Sequence, residues 1–381
     1  MKRRRFAAGA AAALLAPLAR ADASLIEAPR FTRPDLASDE GGLWAIMDRE
    51  ESKLRRSPFV MRDAAFHDYV QDIACRLGGA HCPDVRVYLV RNRYFNASMA
   101  PNGMMQVWSG LMLRVDNEAQ LAAVLGHEVG HYLARHSVDA LREAKSRSAF
   151  AMGMAMFGVV GLIGQLAAVA GMYSYSRDNE RKADEMGLQL MSKAGYDPRE
   201  AAKVWDNLMG ELKADPDTDP TKKSPLFATH PPGDERRATL GTLAAAMPAG
   251  ATFEQRWLER TAPYRREWLD EEIKRGATKE SLALFTRLMA RSPQQADYAW
   301  ARAEVYRARG AVADIDAAIL DYRSAIAIGA EPAEVHRGLG LIYRDRKQLA
   351  EARASFGTYL KLSPDASDSS MISSYIEELN T

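Results

Sequence analysis

The stretch Gly126-His127-Glu128-Val129-Gly130-His131 constrains this chain most, because it sets two imidazoles and a carboxylate on one apolar helix. Leu121, Val124, Leu125 and Val129 give that helix its apolar character. Residues four apart share a helix face, about 6 Å apart along the axis, so His127 and His131 can reach one zinc ion. Glu128 stands beside the first ligand, where it can take a proton from water at the metal. Gly126 and Gly130 leave room beside that metal. Such a site needs a third protein ligand and an open fourth position. The stretch Ser176-Arg177-Asp178-Asn179-Glu180-Arg181-Lys182-Ala183-Asp184 supplies a candidate, opening a second helix with apolar spacing through Met186, Leu188 and Leu190. Glu180 and Asp184 share a face of it. Glu180 can bind zinc, and Asp184 can hydrogen-bond a ligand histidine from behind. Two His and one Glu favour zinc among divalent ions, one per chain.

The ligand set restricts what lies between its halves. Residues 149–173 form an uncharged run of 25, long enough for a transmembrane candidate. His131 precedes it and Glu180 follows it, and a single crossing would put them on opposite sides of a membrane. Two helices of about 12 residues would each reach only about 18 Å, too short to span. The run therefore reads as a hairpin that covers the site, dips into one leaflet or packs on another domain, or as buried core.

Upstream, residues 22–59 carry Pro, Asp and Gly punctuation and read as an extended leader with one short helix. Residues 61–80 have helical spacing, 84–92 alternate as a strand, and 104–109 give a second strand after Pro101-Asn102-Gly103. Asp116 can cap the metal-ligand helix. From about residue 252 the composition shifts to Ala, Arg, Glu and Leu, and a repeat appears in 280–293, 317–332 and 351–364. Phe285, Tyr322 and Phe356 align, as do Pro293, Pro332 and Pro364, and Tyr322 to Phe356 is 34 residues. Each block follows another helical segment, with Trp268, Tyr306 and Tyr343 on it. Two helices per unit of about 34 residues resemble tetratricopeptide repeats, with an irregular helical bundle as the alternative. The fold class expected is α+β and mainly helical: a zincin metallopeptidase domain with a small sheet (60–250), followed by a helical repeat domain (251–381).

With these motifs in hand, the chain resembles a gluzincin of the HtpX and CAAX-prenyl-protease type. His127–His131 matches that family's helix, and Ser176–Asp184 matches its Ser-Arg-x-x-Glu-x-x-Ala-Asp motif. Asn96-Ala97-Ser98-Met99 resembles its edge strand, with Ser98 where an aromatic is usual, and Thr229-His230-Pro231-Pro232 with Arg237 resembles its late His-Pro motif. The resemblance implies His127, His131 and Glu180 as zinc ligands, Glu128 as the base and Asn96–Met99 as a substrate-binding edge. An extended substrate would add beside the strand near Asn96–Gln106. It also implies His230 or Arg237 near the oxyanion or the open zinc position, where either could donate a hydrogen bond. His230 could instead occupy the fourth zinc position and silence the enzyme, or be a turn residue before Pro-Pro. His136 reads as a helix-end or structural histidine, and His67, His81 and His336 carry no motif.

The ends of the chain bear on compartment. Lys2–Arg5, the apolar stretch Phe6–Leu18 and Ala19-Arg20-Ala21 have the layout of a secretory signal peptide (1–21), and Arg3–Phe6 also resembles a twin-arginine signal. Export by either route puts the chain in the periplasm. There Cys75 and Cys82, the only cysteines, could close a disulfide loop or remain two thiols. The formal charge of +1 turns to −4 once the five cations of residues 1–21 are set aside, so nothing pulls the chain to nucleic acid. With 47% hydrophobic and 27% charged residues it is neither wholly disordered nor a disulfide-dense scaffold.

Signal, peptidase domain and repeats together resemble periplasmic proteases of outer-membrane protein quality control. That implies degradation of misfolded or stalled outer-membrane proteins, with chaperone-like help in assembly. The repeats would recruit partners such as the outer-membrane β-barrel assembly machinery, and 149–173 would supply peripheral membrane contact. Two alternatives stand beside this: chiefly a chaperone or assembly adaptor with latent proteolysis, or a processing protease for one specific partner.

Overall fold

The computed structural model describes residues 23–146 and 175–379, apart from 218, 220, 221, 223 and 231–235. The expected signal (1–21) and the uncharged run (149–173) lie outside the described residues. The fold is mainly helical with one small sheet, as expected.

The leader is more structured than its punctuation suggests. After α1 (Ala23–Ile26) comes α2 (Asp39–Leu54), a helix of 16 residues. Ser38 caps it, accepting from the Gly41 N–H, and Asp39 and Glu40 complement the positive end of its dipole. Near its C-terminal end Glu51 accepts from Arg86 Nε at 2.6 Å and from Tyr88 Oη at 2.8 Å, fastening the helix to the sheet.

Helix α3 (Ala64–Gly78) leads through a 3-10 turn, Gly79–Asp84, and the Cys75–Cys82 disulfide ties the two together. Strands β1 (Arg86–Val90), β2 (Ala97–Met99) and β3 (Met104–Trp108) follow. Their order is β1-β3-β2, with β1 parallel and β2 antiparallel to β3. Ser98 pairs with Gln106, so Gln106 sits in the central strand. Of the expected 96–106 edge, only β2 lies at the sheet's margin.

After α4 (Ser109–Arg114), the helix carrying His127 and His131 is α5 (Glu118–Leu133). Its cap is Asn117, which accepts from the Gln120 N–H at 2.9 Å, and not the expected Asp116. Asn117 has the extended backbone a cap requires, while Asp116 is taken up by the side chains of Asn207, Gln120 and Arg287. Then come α6 (His136–Ser146), α7 (Arg177–Lys193), α8 (Glu200–Leu212), α9 (Leu226–Thr229) and α10 (Arg236–Ala245).

The contact that builds the site is α5 against α7. A Cβ at Gly130 would lie 2.9 Å from the Ala183 carbonyl oxygen, and one at Gly187 would lie 3.0 Å from the His127 nitrogen. Gly126 and Gly130 therefore make room for the partner helix, where the sequence suggested room for a metal. That close approach brings the Glu180 face of α7 to the histidine face of α5.

The C-terminal region runs α11 (Glu254–Arg275), α12 (Thr278–Arg291), α13 (Ala296–Arg309), α14 (Val312–Ile328), α15 (Glu334–Asp345), α16 (Leu349–Leu362) and α17 (Ser369–Glu378). Phe285, Tyr322 and Phe356, the aligned aromatics, are fully buried on α12, α14 and α16. Gly338 on α15 admits the Tyr322 side chain, whose hydroxyl a Cβ there would meet at 2.2 Å. Helix α11 lies on the core that precedes it: Trp257 Nε1 donates to the Val115 carbonyl at 3.1 Å, and Arg114 on α4 bridges Glu211 and Glu272. Among the described residues no helix is long and apolar enough to cross a membrane.

Candidate active site

Four side chains from three elements converge between α5, α7 and the end of α9. His127 Nε2 lies 3.0 Å from His131 Nε2 and 3.2 Å from His230 Nδ1. Glu180 Oε1 lies 3.0 Å from His230 Nδ1 and 3.2 Å from His131 Nε2, and Glu180 Oε2 lies 3.6 Å from His127 Nε2. All four residues are buried, and the donor atoms lie within 4.8 Å of one another. Tetrahedral zinc with bonds of about 2.0–2.1 Å would space neighbouring ligand atoms by about 3.3 Å. The observed spacings cluster around that value, so the residues fit a zinc-sized cation.

The ligand rings are oriented from behind. His127 Nδ1 lies 2.9 Å from Asp184 Oδ1, which leaves Nε2 for a metal. His131 Nδ1 lies 2.9 Å from His136 Nδ1. Burial, reinforced by the Lys182 charge, pushes His136 down to about 4, so it is neutral and can accept from His131. His136 opens α6 and is structural, as its position suggested. The Tyr175 ring stacks on His131 with centroids 3.9 Å apart, and the Tyr175 N–H donates to the Thr229 carbonyl at 3.0 Å.

Electrostatics separate the two glutamates. Burial raises the Glu128 pKa, against the pull of His230 and His127. For Glu180 burial acts in the same direction, but His230, His131 and His127 outweigh it and hold the carboxyl well below its ordinary range. Burial also lowers His131, while His230 is raised because the Glu128 and Glu180 carboxylates outweigh its burial.

The sequence placed Arg237 at this site, and the structure does not bring it there. Arg237 is exposed and pairs with Asp206. Its neighbour Arg236 points inward instead: Nε donates to Asp184 Oδ2 at 2.7 Å, Nη1 to Glu180 Oε2 at 2.8 Å and Nη2 to Asp184 Oδ1 at 2.6 Å. The signal was present, since Arg236, Leu240 and Ala244 recur every four residues and the last two are buried. Tyr175, and Trp205 beneath Arg236, carried no motif and were missed.

Strand β2 runs past Glu128. The Met99 backbone N–H is a favourable partner for the Glu128 carboxylate. Asn96, Ala97 and Met99 are buried and Ser98 is half-buried. Asn96 Oδ1 is buried without a hydrogen-bond partner. An apolar pocket adjoins the base, lined by Val124, Leu188, Met191, Val204, Trp205 and Leu226.

Residues 61–244 match the model of peptidase family M48. The beta-barrel assembly-enhancing protease of Escherichia coli (strain K12) is 27% identical over 239 residues, 57% of this chain and 48% of that protein. Its counterpart in Yersinia pestis is 30% identical over 237 residues, 56% and 47% respectively. The mitochondrial metalloendopeptidase OMA1 of Arabidopsis thaliana is 33% identical over 154 residues, 40% of this chain and 30% of that protein. The matched region thus spans less than half the length of each of these relatives. Set beside the geometry of the His127–His131–Glu180 cluster, these matches identify residues 61–244 as a peptidase family M48 domain.

Proposed function

We propose that this chain is a periplasmic zinc metalloendopeptidase that degrades misfolded or stalled outer-membrane proteins and assists their assembly. The observation that carries the peptidase reading is the donor cluster at tetrahedral spacing with Glu128 beside it. His127, His131 and Glu180 would hold one zinc ion, which when bound polarises a peptide carbonyl and acidifies water. Glu128 takes the proton on a carboxylate oxygen and delivers it to the leaving amine. Its burial favours the proton-accepting role by raising its affinity for protons. Asp184 keeps His127 in one tautomer. Arg236 is a brace: its three nitrogens are committed to Asp184 and Glu180, so it is not a free oxyanion donor.

An extended substrate pairing with β2 would gain backbone hydrogen bonds regardless of sequence. Asn96 Oδ1 is available to accept a substrate N–H, and the apolar pocket would take a neighbouring side chain. Sequence-tolerant binding suits unfolded clients. The names of the bacterial relatives, beta-barrel assembly-enhancing proteases, support outer-membrane proteins as those clients. The signal-like residues 1–21 and the Cys75–Cys82 disulfide support an oxidising, exported location. The stacked C-terminal hairpins offer a surface for the assembly machinery, and 149–173 offers a membrane contact.

One observation favours a second reading, an assembly adaptor with latent proteolysis. His230 Nδ1 joins the donor cluster, and His230 Nε2 lies 3.5 Å from Glu128 Oε1, in the space a substrate carbonyl would need. The test uses the chain from about residue 22, its metal quantified, incubated with an unfolded outer-membrane β-barrel protein. Cleavage that disappears with chelator and with Glu128→Gln supports the peptidase. A metal-loaded protein that cleaves only after His230→Ala supports latency. A folded protein that binds no zinc overturns both.

A further inference from the structure

We propose that Trp205 is the positioning residue that seats both His230 and Arg236 at the metal centre. This rests on the reading of His230 as a fourth donor. Trp205 lies on α8, outside every motif in the sequence. Its ring nevertheless has a partner on each side of the 231–235 segment. The Arg236 guanidinium carbon lies 4.2 Å from the ring centroid, a cation–π contact with a side chain only 8% exposed. The Phe227 ring stacks on it with centroids 6.2 Å apart and planes 25° from parallel. Phe227 is on α9, the single helical turn that ends in His230.

The physical consequence follows from what each partner does. A guanidinium stacked on a ring keeps its fork in one plane, and that plane here delivers three nitrogens to Asp184 and Glu180. An α9 of four residues cannot hold its own position, because one helical turn is too short to be stable alone. It is anchored from outside, by the Tyr175 N–H on the Thr229 carbonyl and by Phe227 against Trp205. The half-buried indole thus helps fix Asp184 behind His127, the ligand Glu180 and the fourth donor His230. It is also a wall of the apolar pocket, so a substrate side chain entering there would press on the seat of His230.

The experiment uses the full chain from about residue 22, loaded with cobalt in place of zinc, and reads its visible absorption, which reports coordination number and donor type. Trp205→Ala is expected to shift the spectrum toward that of His230→Ala and to speed metal loss to a chelator about tenfold or more. Trp205→Phe, which keeps a ring for both partners, is expected to restore the wild-type spectrum and metal retention, whereas a merely structural role would lower stability without moving the cobalt spectrum of the folded protein. A Trp205→Ala protein with wild-type spectrum and metal retention overturns the proposal. So does a Trp205→Phe protein as altered as Trp205→Ala. A His230→Ala spectrum identical to wild type instead overturns the four-donor reading beneath it, and the proposal with it.

Discussion

Helix α5 carries a buried polar cluster toward each end, and the two are built in opposite ways. At its first residue, Glu118 is fully buried and accepts from Tyr69 Oη at 2.7 Å, Tyr196 Oη at 2.6 Å, Arg76 Nη2 at 2.8 Å and Arg256 Nε at 2.6 Å. Every neighbour is a donor around one acceptor, so charge and hydrogen bonds close on themselves. Two and a half turns on, His127, His131, Glu180 and His230 bring lone pairs together. Imidazole nitrogens face each other and a carboxylate at about 3 Å, and one cation at the centre would satisfy all of them. Burial and charge alone do not distinguish a fastening from a site. The direction of the donors does.

The sharpest break between the two ends is chemical. Glu128→Gln is expected to lower peptide hydrolysis by about 10²–10⁴-fold, the usual contribution of a general base, with bound metal unchanged. Hydrolysis by the purified variant at the wild-type rate would remove Glu128 from the mechanism and leave the cluster a metal site without a base.

At the other end the expected loss is stability. Glu118→Ala strips one carboxylate from four donors and leaves two arginines without their buried partner. Breaking such a pair costs about 3–5 kcal/mol, to be read from denaturant unfolding, with metal content per folded molecule unchanged. The pH dependence has a definite sign. Burial would raise the Glu118 pKa, but Arg256, Tyr196, Tyr69 and Arg76 outweigh it and hold the folded value below the ordinary one. Its stabilisation is therefore present above the ordinary carboxylate range and is lost as pH falls through the folded value. The stability gap between wild type and Glu118→Gln should be widest near neutrality and narrow in acid. A gap that widened in acid would mean the carboxyl is protonated in the folded protein.

A smaller effect tests whether the metal cluster depends on its supports. Asp184→Asn keeps the shape but weakens the hold on His127 Nδ1 and Arg236. Metal affinity is expected to fall about 10–100-fold, measured by competition with a chromophoric chelator. Unchanged affinity would show that Gly-mediated packing of α5 on α7 alone fixes the ligands.

The histidine end of α5 was legible in the sequence, and the Glu118 end was not. His127 and His131 on one helix and Glu180 and Asp184 on another each have a four-residue helical spacing that survives in any fold, and the structure brings the two pairs together. Phe285, Tyr322 and Phe356 were legible for the same reason, as core positions of stacked hairpins. What was not legible depends on distant chain meeting distant chain. Tyr175 acts through a ring stacked on His131, and Trp205 through a guanidinium 31 residues away. No local period encodes either. The leader was misread differently: Ser38, Asp39 and Glu40 are a helix start, and the Pro and Gly residues around them obscured it.

Arg236 and Arg237 lie between these cases, since the period was there and was not used. On α10 the face of Leu240 and Ala244 is buried, and Arg236 lies on that face while Arg237 turns to solvent and Asp206. Arg237→Ala is expected to leave metal retention, hydrolysis and melting temperature at wild-type values, because an exposed ion pair contributes little in water. Arg236→Ala should speed metal loss, because it frees two buried carboxylates that Arg236 neutralises: Asp184, which orients His127, and Glu180, which would bind the ion. Equal effects from the two substitutions would mean that α10 presents another face to the metal centre. The brace assigned to Arg236 would then have to be withdrawn, and with it the contrast between a ligand cluster held from behind and a carboxylate held from all sides.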